Sequence, residues 1–271
     1  MPALPLLVEK PKRVRVLIDR MADAAALCST VPTLVSRLSA LGSLTMAEMI
    51  PDTLPASSTA GERRVFATSA RLPDDCLIYY EPVVRRRYAD LIAILPEVGV
   101  LVIEVKDWWL AGLGSVNADT VTITRRGIAT VVPHPRRQAR GYMLRLMDEC
   151  RRHPQAGMLM QKEGRHAGGY AFPFCHIAVL SNINRSQIER EAPEMTVLFP
   201  SGTTITRDEL VTWDALESQA LLARLKACFD PWWTFPKLTP AQIDIFRSIL
   251  HPEVVIRSSE TESRCSTCAG A

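Results

Sequence analysis

The spacing of apolar and polar positions divides the chain near residue 46. Before it, Met21 to Leu44 form an Ala/Leu/Ser-rich stretch of helical character and weak amphipathicity, preceded by a basic start at Lys10, Lys12, Arg13 and Arg15. After it, Pro51, Pro55 and Ser57-Ser58-Thr59 form a loop leading into Gly61-Glu62-Arg63-Arg64-Val65-Phe66, which predicts a helix to about Arg71. Three strand-like runs follow at Cys76–Val83, Tyr88–Leu95 and Gly99–Val105. A hairpin is predicted next, pairing Thr120–Thr124 with Ile128–Val132 across Arg125-Arg126-Gly127. A long helix is expected from Arg136 to Arg152 with Pro135 near its first turn, then a Gly-rich loop (Gly164 to Gly169) and a buried strand, Phe174–Leu180. Further helices are expected at about 206–212, 214–228 and 239–250. Helix, three strands, hairpin, helix and strand in that order predict an α/β fold with a mixed central sheet flanked by helices, and a C-terminal helical segment.

Two of the apolar runs carry charge where charge is costly. In Tyr88-Ala-Asp90-Leu-Ile-Ala-Ile-Leu-Pro96-Glu-Val-Gly99-Val-Leu-Val-Ile-Glu104-Val-Lys106, two strands are joined by a Pro- and Gly-containing turn. Aspartate is depleted in strands, and a buried charge without a partner is unfavourable. Glu104 and Lys106, two positions apart, share one face, while Leu101, Ile103 and Val105 fill the other. With a loop of Leu95–Gly99, Ile94 faces Val100 and Asp90 faces Glu104; one residue fewer would turn Asp90 to the opposite side. Two adjacent carboxylates repel unless a cation lies between them, and oxygen ligands of this kind suit Mg²⁺ or Mn²⁺.

Asp90 followed by Glu104-Val-Lys106 at the end of an apolar strand resembles the D…ExK signature of restriction-endonuclease-like nucleases. More closely, Gly61-Glu62-Arg63-Arg64-Val65-Phe66, Leu72-Pro-Asp-Asp75, Asp90, Gly99 to Lys106 and Pro135-Arg-Arg-Gln138-Ala-Arg140 together resemble the nuclease-related domain (NERD), over roughly residues 46–200. Gln138 and Tyr142 form a Q-x-x-x-Y pair like that of RecB-type nucleases, at i, i+4 on one helix face. Tyr88 is a departure, since the family usually has an acidic or small residue there.

The resemblance implies metal-dependent hydrolysis of DNA phosphodiester bonds, in DNA processing or repair. Asp90 and Glu104 would ligate the ion with the Val105 carbonyl, and Glu62 would join directly or through water. Lys106 would orient water or meet the scissile phosphate, Gln138 would position the water, and Arg136, Arg137, Arg140 and Tyr142 would contact DNA. A DNA-binding or helicase-accessory module that keeps the fold without cleavage is the alternative. Plainer readings accompany these. Thr59-Ala-Gly-Glu62 fits a helix capping box, Asp90 could pair with Arg86 or Arg87, and Glu104 and Lys106 could face solvent at a sheet edge. Gln138 could be a surface residue, and Tyr142, Trp108 and Trp109 could be core residues.

Composition changes little. The chain has 271 residues, 47% hydrophobic and 23% charged, with a net charge of +3 that identifies no partner by itself. Basic residues cluster from Arg136 to Arg165. Seven scattered cysteines and no secretory or membrane-spanning pattern predict reduced thiols and a cytoplasmic location without membrane contact. Cys265-Ser-Thr-Cys268 has half the spacing of a zinc site, with no second pair. Phe235 to Gln242 and His251 to Ile256 resemble the linker into the helicase portion of fused NERD proteins, which points to a helicase encoded nearby. No G-x-x-x-x-G-K-[ST] loop is present, so ATP-driven unwinding by this sequence is not expected. The expected divisions are 1–45, an N-terminal extension; 46–200, the nuclease-like domain; 201–257, a helical region; and 258–271, a flexible tail read as the product of truncation or frameshift.

Overall fold

Strands that are apolar at every position can be satisfied only between two covered faces. That is where the central strands lie in the computed structural model, which describes residues 46–84, 87–230 and 234–250. Arg86, residues 1–45, His251 to Ile256, Cys265 and Cys268 fall outside the described residues, and with them the expectations placed there.

Six strands make the main sheet: β1 (Glu48–Ile50), β2 (Leu77–Tyr80), β5 (Leu91–Leu95), β6 (Gly99–Lys106), β10 (Phe174–Leu180) and β11 (Thr204–Thr206), in the order β1-β2-β5-β6-β10-β11. β2, β5 and β6 run antiparallel to one another, whereas β1 joins β2, β10 joins β6 and β11 joins β10 in parallel. The mixed sheet expected from the element order is therefore present. Two strands are shorter than their apolar runs. β2 ends where Glu81 takes a positive φ of 46° ahead of Pro82, and Val83–Val84 and Arg87–Tyr88 pair separately as β3 and β4. Asp90 lies in a bend just outside β5.

One face of the sheet buries Leu101, Ile103 and Val105 of β6 beneath helix α1 (Ala60–Ser69) through Val65 and Phe66. The same face is covered by α5 (Arg207–Trp213) and α6 (Ser218–Lys226) through Leu210, Trp213, Leu221, Leu222 and Leu225. The other face buries Val100 and Val102 beneath α2 (Pro135–Arg152) and α7 (Pro240–Leu250), through Ala139, Tyr142, Leu146 and Cys150 and through Ile245, Phe246 and Leu250. Pro135 opens α2 at its first turn, and His134 caps it by accepting the Arg136 N–H. β11 extends the main sheet, and α5 to α7 cover both its faces.

A second, three-stranded antiparallel sheet, β7 (Leu113–Val116), β8 (Thr120–Arg125) and β9 (Ile128–Pro133), is inserted between β6 and α2. Val121 and Ile123 on its inner face pack with Trp108, Leu180, Ile183 and Phe199 in a third apolar cluster. Ile188 of α3 (Arg185–Glu191) and Met195 of α4 (Met195–Leu198) join them. Cys76, Cys150, Cys175 and Cys228 are free thiols, and among the described residues no helix is long and apolar enough to cross a membrane.

Candidate active site

Pairing of β5 with β6 fixes which charges meet. Ile94 faces Val100 and Leu95 faces Gly99, so the turn proper is Pro96–Val98 and the register carried one rung further sets Asp90 beside Glu104. Asp90 Oδ2 accepts the Val105 N–H at 2.7 Å, beyond the end of the β5 ladder. Glu104 is completely buried at the middle of the sheet, with strands on both sides, which excludes the solvent-facing edge reading. Its Oε1 is ion-paired with Lys106 Nζ, and its Oε2 has no hydrogen-bond partner.

Burial, then the neighbouring Asp90 charge, pushes the Glu104 carboxyl up to about 8 despite Lys106. Burial also raises Asp90, against the opposing pull of Lys106 and the Val105 N–H. Burial alone would lower Lys106, but Glu104 and Asp90 outweigh it and hold the ammonium above its ordinary value. Two carboxylates and one ammonium thus share a site closed to solvent on most sides. Among the described residues Asp90 has Lys106 as its cationic neighbour, not Arg87.

On α2, Gln138 Nε2 donates to Tyr142 Oη at 3.2 Å, and Tyr142 is buried against the sheet. Burial, with Glu104 and Asp90 nearby, raises Tyr142. The i, i+4 pair is therefore formed, and it faces the carboxylates. Glu62 approaches from α1. It closes the expected capping box with Thr59, its Oε2 accepting the Thr59 N–H at 3.0 Å, and the same oxygen accepts the Tyr80 hydroxyl at 2.8 Å. Glu62 is near enough for its charge to act on Asp90, but it is not drawn into the Asp90–Glu104 pair. Among the described residues no three His, Cys, Asp or Glu side chains are grouped to hold a metal ion. The site offers a pair of carboxylates.

Glu62, Lys106 and Gln138 border a cleft of about 480 Å³, with Glu62 at one lip and the β8–β9 hairpin as its far wall; Asp90, Glu104 and Tyr142 are not part of its lining. The α2 arginines are not part of its lining. Arg136 is half-buried and donates to the Leu198 carbonyl at 3.4 Å, Arg137 lies 3.4 Å from Asp119 on the surface, and Arg140 is exposed. After burial itself, Arg136 and Arg140 depress His176, to about 4. Trp108 is a core residue, as the plainer reading holds, whereas Trp109 is 61% exposed.

Sequence reasoning missed Asp107. Its Oδ2 accepts the Gly61 N–H at 2.9 Å in the first turn of α1, and its Oδ1 accepts the Ser181 hydroxyl. A carboxylate at a helix N-terminus is favourable, and here it pins α1, and so Glu62, to the end of β6. The available signal was Gly61, a helix-weakening residue inside the first turn. A Cβ there would overlap Asp107 Oδ1 and come within 2.8 Å of the Ser181 side chain. Gly61→Ala is therefore expected to destabilise the protein by about 1–3 kcal/mol. It should also weaken whatever chemistry depends on Glu62; a denaturation midpoint equal to that of the native protein would refute this close packing.

Residues 57–180 match the nuclease-related domain family, while neither the curated proteins nor the solved structures yield a match. The matched stretch opens just ahead of the Thr59 cap and closes on Leu180, the last residue of β10. Glu62, Asp90, Glu104, Lys106, Gln138 and Tyr142 all lie inside it, so the segment similar to the nuclease-related domain holds the cleft's lining residues together with the Asp90–Glu104 pair.

Proposed function

We propose that this domain hydrolyses DNA phosphodiester bonds with a divalent cation, Mg²⁺ or Mn²⁺, held by Asp90 and Glu104. The observation that carries the reading is the completely buried Glu104 Oε2, without a hydrogen-bond partner and beside a second carboxylate. An anionic oxygen in that position is unfavourable unless a proton or a cation meets it. Hard oxygen donors fit these ions, and the Val105 carbonyl is a further donor candidate. Bound there, the ion would lower the pKa of a water and neutralise charge developing on the phosphate. Lys106, held protonated, orients the attacking water or contacts the scissile phosphate. Gln138 and Tyr142 position the water or the DNA backbone, and Glu62 acts from the opposite lip through water.

The second reading, DNA binding without cleavage, is favoured by the Lys106 ammonium, which already neutralises one Glu104 oxygen. Supercoiled and linear DNA incubated with Mg²⁺, Mn²⁺ or EDTA separates the two. Cleavage that needs the ion and falls about 10²-fold in Lys106→Ala, within the range for a group that handles a proton in the reaction, supports hydrolysis. DNA bound but never cut supports the second reading, and cleavage unchanged in Lys106→Ala or in EDTA defeats the first.

A further inference from the structure

We propose that the β8–β9 hairpin is the substrate-binding arm of the cleft, and that it seats an unpaired DNA strand with Arg125 holding a phosphate beyond the scissile one. This rests on DNA being the substrate. The cleft face of the hairpin is set by its register: Val121 faces Val132, Ile123 faces Thr130, and the last rung is Arg125 against Ile128. Ile123, Arg125, Thr130, Val132 and Pro133 line the same cleft as Lys106 and Gln138. Along one wall an apolar strip thus runs outward and ends in an exposed guanidinium.

The hairpin tip turns through Arg126 at φ 51° and Gly127 at φ 78°, which adds a second cation beside Arg125. Ile128 completes the outer rung at 69% exposure. Arg137 shares Asp119, whereas Arg125 is in no ion pair among the described residues. Arg125 thus lines the cleft with Lys106 and Gln138, whereas the α2 arginines do not.

The apolar strip selects the form of DNA. A duplex turns its base faces inward and presents phosphates and groove edges, so a wall of Ile123, Val132 and Pro133 gains little from it. An unpaired nucleotide exposes base and sugar faces that such a wall can cover while cations take the phosphates.

Binding measured by fluorescence anisotropy in EDTA, with the full chain and a labelled 20-nucleotide strand or its blunt duplex, tests this without requiring cleavage. The strand is expected to bind at least about tenfold more tightly than the duplex. Arg125→Ala should weaken strand binding about fivefold or more and reduce the slope of log K against log salt by about 0.7, one phosphate contact of a single strand. Arg190→Ala, an exposed change of equal charge, should alter neither. Equal affinity for strand and duplex, or an Arg125→Ala slope and affinity equal to the native protein's, overturns the assignment. Cleavage with no Arg125 effect would strike the hairpin site alone. Arg125-dependent binding with no cleavage in Mg²⁺ or Mn²⁺ would strike hydrolysis alone. Absence of binding to either DNA would overturn both.

Discussion

Glu104→Gln is expected to reduce cleavage by about 10³-fold or more, roughly 4 kcal/mol of transition-state stabilisation, without lowering the melting temperature at pH 8. The two effects would separate because, on the proposed reading, the carboxylate serves chemistry at the expense of the fold. Its pKa in the folded protein is pushed up to about 8, above its unfolded value. A carboxyl shifted in that direction binds its proton more tightly when folded. Its favourable contribution is therefore complete below the unfolded pKa, and it is lost as pH rises toward 8.

The metal-free native protein should accordingly lose stability between about pH 5 and pH 8, and Glu104→Gln should flatten that slope. The amide can still accept from Lys106, and its NH₂ can donate to Asp90. Added Mn²⁺ should raise the native melting temperature and leave that of the variant unchanged, because only a ligand that binds the folded form stabilises it. Cleavage within tenfold of native in Glu104→Gln would remove the carboxylate pair from the reaction.

Phe246→Ala is expected to cost about 3–5 kcal/mol and lower the single unfolding transition by about 10 °C. Phe246 lies well past the end of the matched stretch, yet it is completely buried on the α2 face of the sheet. Its ring meets Phe172 at 5.6 Å between centroids and Phe174 at 6.5 Å. Removing it leaves a void against the strand that carries the parallel partner of β6. Thermal unfolding followed by far-UV circular dichroism reads the result. A variant that melts in two steps, with the main transition unmoved, would show that α7 is an attachment and not part of the core.

The central strands and the site at their end were legible because charge interrupted apolar runs. β5 and β6 are buried on both faces, so alternation could not set their register; Asp90, Glu104 and Lys106, with the length of the turn, did. The edge strands β1 and β11 span three residues each, too short to show a period, and β7 holds two glycines or serines for every two apolar positions. The setting of Arg136 was hidden for a different reason. A helix considered alone says which residues share a face, but it does not say that Leu198, far along the chain, will present a carbonyl to one of them. Glu62 forms the capping box and also borders the cleft, since a capping carboxylate can do both. Asp107 was passed over because its partners, Gly61 and Ser181, are distant in sequence.

That three-way junction has a consequence for how the protein comes into being. The first turn of α1 is fastened by a residue from the end of β6, which is in turn held by the residue that follows β10. During synthesis, then, the lip bearing Glu62 has no fixed seat until Ser181 has left the ribosome and the sheet has closed around it. Any competence housed in the cleft belongs to the finished sheet and is withheld from the nascent chain.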